Sequence, residues 1–206
     1  MTLIDTHAHI YYDDYSKRID DVISAAADNG GEKIISIGVD LKTSEECMEL
    51  AEKYETVYAT CGIHPHESQK APKGYLYELE QFYKHPKVLA VGEIGLDYYY
   101  DFSDRKTQRK IYQEQLEMAN SLGFPAVVHC RESDDDILSG IQESSHKSGV
   151  IHCFASNLDF AEKILETGFY LSFTGMITFV KELEEVVREV PLSKMMVETD
   201  SPYLTP

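Results

Sequence analysis

Residues 125–154 read PAVVHCRESDDDILSGIQESSHKSGVIHCF. Two short apolar runs, Pro125–Cys130 and Val150–Phe154, bracket a helical candidate near 133–146. Each run is strand-like, and each carries a His-Cys pair at its end, at His129 and His152. Strand, helix and second strand make a βαβ unit, whose two strands lie parallel. Both histidines then sit at the same end of one sheet. A single strand-end histidine is often a satisfied core residue. Two of them in consecutive units point to a shared site.

The same alternation runs through the rest of the chain. Strand-like runs fall at Leu3–His9, Lys33–Val39, Val57–His64, Val88–Asp97, Phe169–Gly175 and Met195–Asp200. Most are rich in Val, Ile, Leu, Phe or Tyr and are bounded by Gly, Pro or Asp. Helical candidates lie near 17–29, 43–54, 75–84, 104–122, 157–167 and 180–189. Thr43 with Glu46 reads as a capping box. Asn29-Gly30, Gly123 and Gly168 read as helix stops. Leu158, Ala161, Ile164 and Leu165 are spaced for one apolar helix face. Eight strands alternating with seven helices predict an α/β fold, a (β/α)8 TIM barrel that lacks the final C-terminal helix. It is read as one domain over residues 1–206. Without that helix, apolar flanks of the first and last strands are expected to face water. There is no internal repeat, low-complexity segment or linker.

A chain of 206 residues with 43% apolar content suffices for one substantial core. No apolar run approaches the roughly 20 residues of a membrane span, and the N-terminus has no secretory signal pattern, so a cytoplasmic location and no membrane partner are expected. The formal charge of −17 argues against broad gripping of a nucleic-acid backbone. It leaves room for a local site where cations and a few basic residues hold one phosphate. Cys47, Cys61, Cys130 and Cys153 contain no CxxC pair and read as reduced thiols packed as small hydrophobes. Strand alternation would turn Cys130 and Cys153 away from the site, toward the helices.

Six residues carry the chemistry: His7, His9, Glu93, His129, His152 and Asp200. Each lies at or near a strand end. In His7-Ala8-His9 a spacing of two puts both imidazoles on one face, with Asp5 one step deeper. Glu93 sits in Val91-Gly92-Glu93-Ile94-Gly95-Leu96-Asp97, where the glycines read as room for an ion. Its two oxygens can bridge two cations. Asp200 can bind a metal and accept a proton from water, and Glu198 can orient a ligand imidazole from behind. His64, in Gly62-Ile63-His64-Pro65-His66, is placed to donate to a substrate phosphate. A contact-free loop role is as good a reading for His66. Arg131 presents the planar fork of a phosphate clamp, against a rim ion pair with the acids at 132–136. Tyr98, Tyr99, Tyr100 and Phe102 read either as packing at the barrel mouth or as stacking surfaces for bases. His85 and His146 read as solvated loop residues.

With these residues identified, the chain resembles the TatD family of metal-dependent deoxyribonucleases, in the amidohydrolase superfamily. The resemblance spans the whole chain. It rests on Asp5-Thr6-His7-Ala8-His9, Gly62-Ile63-His64-Pro65-His66, Gly92-Glu93-Ile94-Gly95-Leu96-Asp97-Tyr98, His129-Cys130-Arg131, His152-Cys153-Phe154, Gly175-Met176-Ile177-Thr178-Phe179 and Glu198-Thr199-Asp200-Ser201-Pro202-Tyr203-Leu204. It implies a distorted TIM barrel and a two-metal hydrolase that cleaves DNA phosphodiesters. His7, His9 and Asp200 would hold one cation, His129 and His152 the other, and Glu93 would bridge them. His64 and Arg131 would touch the phosphate, and Asp200 would act as general base. Two divalent ions are implied, drawn from Mg, Mn or Zn; no obligate protein partner is. Ser133 and Ala155 depart from the family pattern without touching a ligand position, and the segment that in relatives follows the last strand is absent. A lactonase or deacylase, including one acting on aminoacyl-tRNA, and a non-catalytic metal-binding barrel are the competing readings. The fourth strand offers Glu93 and no interior lysine, which favours the nuclease.

Overall fold

The computed structural model describes residues 2–12, 15, 17–100 and 102–204. Eight strands form one parallel sheet in sequence order: β1 (Leu3–Ala8), β2 (Gly31–Ile37), β3 (Val57–Cys61), β4 (Val88–Asp97), β5 (Ala126–Arg131), β6 (Gly149–Ile151), β7 (Tyr170–Phe173) and β8 (Met195–Val197). Between them lie α1 (Ile19–Asp28), α2 (Leu41–Lys53), α3 (Tyr75–Phe82), α4 (Arg105–Leu122), α5 (Asp134–Ser144), α6 (Leu158–Glu166) and α7 (Leu183–Glu189). This is the (β/α)8 barrel expected from the alternation. Short 3-10 turns at Pro65–Lys70, Gly175–Thr178 and Leu192–Lys194 were not legible in the apolar pattern.

The barrel closes unevenly. At the C-terminal ends of the strands, Ala8 bridges Ser201, His9 N–H donates to Ser201 O at 2.7 Å, and Asp200 N–H donates to His7 O at 2.9 Å. On the outer side of the seam, Leu3 and Ile4 at the start of β1 are each 43% exposed, and Val197 at the end of β8 is 52% exposed. They border a groove of about 310 Å³ between β1, β8 and α1. The apolar flank expected on the first and last strands is therefore uncovered by any described residue. Elsewhere the strands are buried on both faces, as a helix-wrapped parallel sheet requires. Ile37, Ile94, Leu96, Ile151, Phe169 and Phe173 are nearly inaccessible. Each such side chain stabilises the fold by about 1.5–3 kcal/mol relative to exposure.

Several helix ends follow local chemistry. Asp104 accepts from Thr107 N at 3.0 Å, and Gly123 closes α4 in the left-handed conformation. Asn157 caps α6, whose buried face is Phe160, Ala161 and Ile164. The expected capping box on α2 is shifted. Asp40, not Thr43, is the N-cap; its side chain accepts from Thr43 N at 2.7 Å, and Thr43 Oγ1 accepts from Asp40 N at 3.0 Å. The helix starts at Leu41, so Glu46 lies a turn too late to close the box.

Two strands slip register where site residues sit. On β1, Asp5 and Ala8 pair with Ile34 and Ser36, three steps against two. On β4, Val91 and Ile94 pair with Ala126 and Val128, again three against two. Such bulges re-aim side chains. The first overturns the expectation that Asp5 shares a face with His7. Asp5 instead accepts from Thr199 N at 3.0 Å and Thr199 Oγ1 at 2.7 Å, tying β1 to the chain after β8. The glycines around Glu93 also serve a different end from the one expected. A Cβ on Gly95 would lie 2.0 Å from His129 O, and one on Gly92 would lie 2.6 Å from Val127 Cβ. They admit β5, not an ion.

Candidate metal centre

The six strand-end residues converge on one point at the barrel mouth. Glu93 is 3% exposed, and its two oxygens face different neighbours. Oε2 lies 3.5 Å from His7 Nε2 and 3.8 Å from His9 Nε2. Asp200 Oδ1 completes that side, 3.6 Å from His7 Nε2 and 3.4 Å from His9 Nε2. Oε1 lies 2.8 Å from His152 Nε2, 3.2 Å from His129 Nδ1 and 3.4 Å from His64 Nε2. His129 Nδ1 and His152 Nε2 are 3.3 Å apart, as are His7 Nε2 and His9 Nε2. Donors bound to one ion at about 2.0–2.2 Å stand roughly 3–3.6 Å from each other. The set therefore fits a metal, with nitrogen and oxygen donors suited to Zn, Mn or similar ions. His7–Glu93–His152, His7–His9–Asp200 and His64–Glu93–His129 each bring three donor atoms within one ion's reach.

Groups behind the cluster fix which nitrogen carries the proton. His9 Nδ1 faces Ile37 O at 3.1 Å, and a carbonyl only accepts, so the lone pair is left on Nε2. His129 Nε2 donates to Asp97 Oδ2 at 3.0 Å, which frees Nδ1. His152 Nδ1 lies 3.4 Å from Glu198 Oε1, within Coulombic reach though not aligned for a hydrogen bond. Each free nitrogen points at the cluster, the arrangement metal-ligating imidazoles take. His64 is the opposite case. Its Nδ1 accepts from His66 N–H at 3.1 Å, which leaves the proton on Nε2. That makes it a donor.

Burial and charge pull in opposite directions. Burial opposes ionisation of Glu93, but His152 and His64 and hydrogen bonds from His129 and His152 hold its carboxyl well below the usual range. Burial likewise opposes charge on His152, yet Glu93 and Glu198 push it well above the ordinary imidazole value. His129 is raised in spite of burial, by hydrogen bonds to Asp97 and Glu93. Burial lowers His7, and it lowers His64 to about 4 although Glu93 is near. Asp200 stays below its usual value against burial, through a hydrogen bond with His9 and the charges of His152 and His7.

Sequence reasoning missed five contributors. Asp97 is 1% exposed and holds both His129 and His66, whose Nε2 donates at 2.9 Å; His66 is thus engaged rather than idle. Gln108 and Gln115 on α4 are buried amides that grip backbone. Gln108 accepts from Asp97 N at 2.9 Å and donates to Asp97 O at 3.0 Å. Gln115 does the same for Ile63, at 2.7 and 3.0 Å, setting the segment that carries His64. Their spacing of seven, two helical turns, places both on one face but carries no sign of the backbone they grip. Ser172 Oγ donates to Glu198 Oε2 at 2.5 Å, and Cys153 N–H donates to Oε1 at 2.7 Å.

Other expectations divide. Arg131 is exposed and, among the described residues, forms no ion pair; its guanidinium rests 4.1 Å from the Tyr99 ring centroid and 4.9 Å from that of Tyr100. Tyr98 donates to Asp136 Oδ2 at 2.5 Å. All four cysteines are free thiols. Cys130 turns to Ser133 and Asp134 at the start of α5, as alternation requires. Cys153 does not follow it: it lies past β6 with φ +44° and faces Thr174 and Met176. His146 is not solvated but 4% exposed, edge-on to Phe169. His85 is half-buried beside Glu52, at 3.4 Å.

An eight-stranded barrel with imidazoles and carboxylates gathered at its C-terminal mouth defines a metal-dependent hydrolase. The family described as TatD related DNase matches residues 4–206, and the chain belongs to it. It is 34% identical over 208 residues to the uncharacterized metal-dependent hydrolase YabD of Bacillus subtilis, spanning 99% of this chain and 82% of that one. It is 29% identical to the 3'-5' ssDNA/RNA exonuclease TatD of Escherichia coli, over 99% of this chain and 80% of that one. The crystal structure of YJJV, a TatD homologue from Escherichia coli, superposes with a TM-score of 0.93 at 31% identity, covering 97% of this chain and 79% of the other. Among the described residues no helix is long and apolar enough to cross a membrane.

Proposed function

We propose that this protein is a nuclease that hydrolyses DNA phosphodiesters at a two-metal centre. The observation that carries the reading is Glu93, whose two oxygens each face a separate group of donors. His7, His9 and Asp200 would hold one ion, His129 and His152 the other, with Glu93 common to both. Bound divalent ions would supply Lewis-acid polarisation of a phosphate and a water of lowered pKa. Asp200 is a carboxylate at neutral pH and accepts the attacking water's proton. His64 is neutral there, and its Nε2–H donates to a non-bridging phosphate oxygen. Arg131, exposed at the rim, supplies the remaining positive charge. The exonuclease named among the relatives supports a nucleic-acid substrate.

The test is Asp200→Asn, compared with the wild type as metal-loaded protein on a DNA oligonucleotide, with lactone and acyl-ester substrates assayed in parallel. Turnover on DNA is expected to fall about 10²–10⁴-fold, the span of a lost general base, and EDTA is expected to abolish it. Near-wild-type cleavage by Asp200→Asn would remove that residue from the role. Hydrolysis of the ester or lactone but not of DNA would overturn the nuclease.

A further inference from the structure

Directly after β4 the chain exposes three aromatic rings beside the metal centre. Tyr99 is 54% exposed, Tyr100 40% and Phe102 61%, so packing at the mouth does not account for them. Tyr100 and Phe102 lie nearly parallel, centroids 5.4 Å apart and planes at 25°. The Arg131 guanidinium carbon lies 4.1 Å from the Tyr99 centroid and 4.9 Å from that of Tyr100, two rings whose planes stand at 89° to each other. This surface is anchored to the site. The N–H groups of Tyr99 and Tyr100 both donate to Asp97 Oδ1 at 3.0 Å, while Oδ2 of the same carboxylate holds His66 and His129. His66 in turn packs edge-on against Phe102, 4.8 Å between centroids.

We propose that Tyr99, Tyr100 and Phe102, with Arg131, form a stacking wall that binds the nucleobases of single-stranded nucleic acid next to the scissile phosphate. The proposal rests on the nuclease reading. Its physical basis is the balance of forces available to this chain. A net charge of −17 leaves little backbone electrostatics to hold a polyanion. Stacking on an aromatic face is nearly independent of charge and of base identity, and is worth about five- to 150-fold in affinity per base. Bases inside a duplex hide their faces in the helical stack, whereas unstacked strands present them. Arg131 adds a cation, held against the rings, whose fork can pair with phosphate.

The experiment measures binding and cleavage separately. Fluorescein-labelled twelve-nucleotide strands with phosphorothioate linkages, which resist cleavage, are titrated by anisotropy: oligo-dT, the same length of abasic strand, and oligo-dT paired to oligo-dA. The proteins are metal-loaded wild type, Phe102→Ala and the double variant Tyr99→Ala/Phe102→Ala. Wild type is expected to bind oligo-dT about tenfold or more tighter than the abasic strand and the duplex. The double variant is expected to lose most of that ratio, and Phe102→Ala part of it. A general folding defect would weaken both strands alike and leave the ratio intact. Equal binding of oligo-dT and abasic strand by wild type, or an unchanged ratio in the double variant, overturns the wall. Wild-type cleavage of unmodified oligo-dT with Mn is read alongside. Base-dependent binding without cleavage sinks the catalytic reading and keeps the wall; cleavage without base discrimination does the reverse.

Discussion

Asp97 shows how one buried carboxylate organises several parts of a site. Burial disfavours its charge, but hydrogen bonds with His129 and His66 keep it far below the usual carboxyl range. It orients His129 through one oxygen and the aromatic turn through the other. Replacing it by Asn keeps the shape but offers one acceptor oxygen in place of two. Asp97→Asn is expected to lower metal affinity or turnover about 10–100-fold, as removal of such supporting partners does. Metal titration by calorimetry checks this, and an affinity within threefold of wild type contradicts it. The thiols are quieter: burial pushes Cys61 up to about 12 and Cys153 up to about 11, so neither is a nucleophile at neutral pH.

Helix α4 and the two bulged strands do work that binary patterning does not describe. An amphipathic helix usually buries apolar side chains, yet α4 buries Gln108 and Gln115 and uses them to satisfy backbone groups at the end of β4 and just past β3. Gln108→Leu preserves volume and leaves Asp97 N–H and C=O without partners. An unpaired buried group costs about 1–3 kcal/mol. The variant is expected to lose about that much stability in urea denaturation and to bind metal more weakly, because Asp97 positions His129. Full stability with weaker metal binding would limit Gln108 to aligning the site; unchanged values of both would remove it from either role.

At the scale of the whole barrel, protons and bound metal are expected to act on stability together. Without metal, Glu93, Asp97, Glu198 and Asp200 titrate below their ordinary values, and His129 and His152 above theirs. The carboxylate contribution is present above their unfolded range near pH 4 and is lost as pH falls through the lower folded values. The contribution of the two raised histidines is full below about pH 6.5 and is lost as pH rises through their folded values. His7 and His64, lowered by burial, add to the loss on the acid side. Metal-free protein is therefore expected to melt highest near neutral pH and lower on both sides. Ions replace the histidine protons, so Zn or Mn at about 100 times its Kd should raise stability by about 2.7 kcal/mol and flatten the alkaline loss. EDTA should restore it. Melting curves from pH 5 to 9 with and without metal check this; identical alkaline slopes would contradict it.

The order of strands and helices, and the histidines and acids at strand ends, were legible along the chain because both are local signals. Alternating apolar runs report elements, and a parallel sheet puts every strand end at one mouth. The bulges at His7 and Glu93, the seam held by Asp5 and Thr199, and the shift of the α2 cap to Asp40 were not legible. Nor were the Gln108 and Gln115 clamps, or Asp97 shared between the candidate metal centre and the aromatic turn. Each of the long-range links depends on how near a group comes to backbone far away in sequence, 194 residues for Asp5 and Thr199 and 52 for Gln115 and Ile63. Periodicity records which face of an element is buried. It carries no record of which polar atom waits on the other side, and that is settled when the barrel closes.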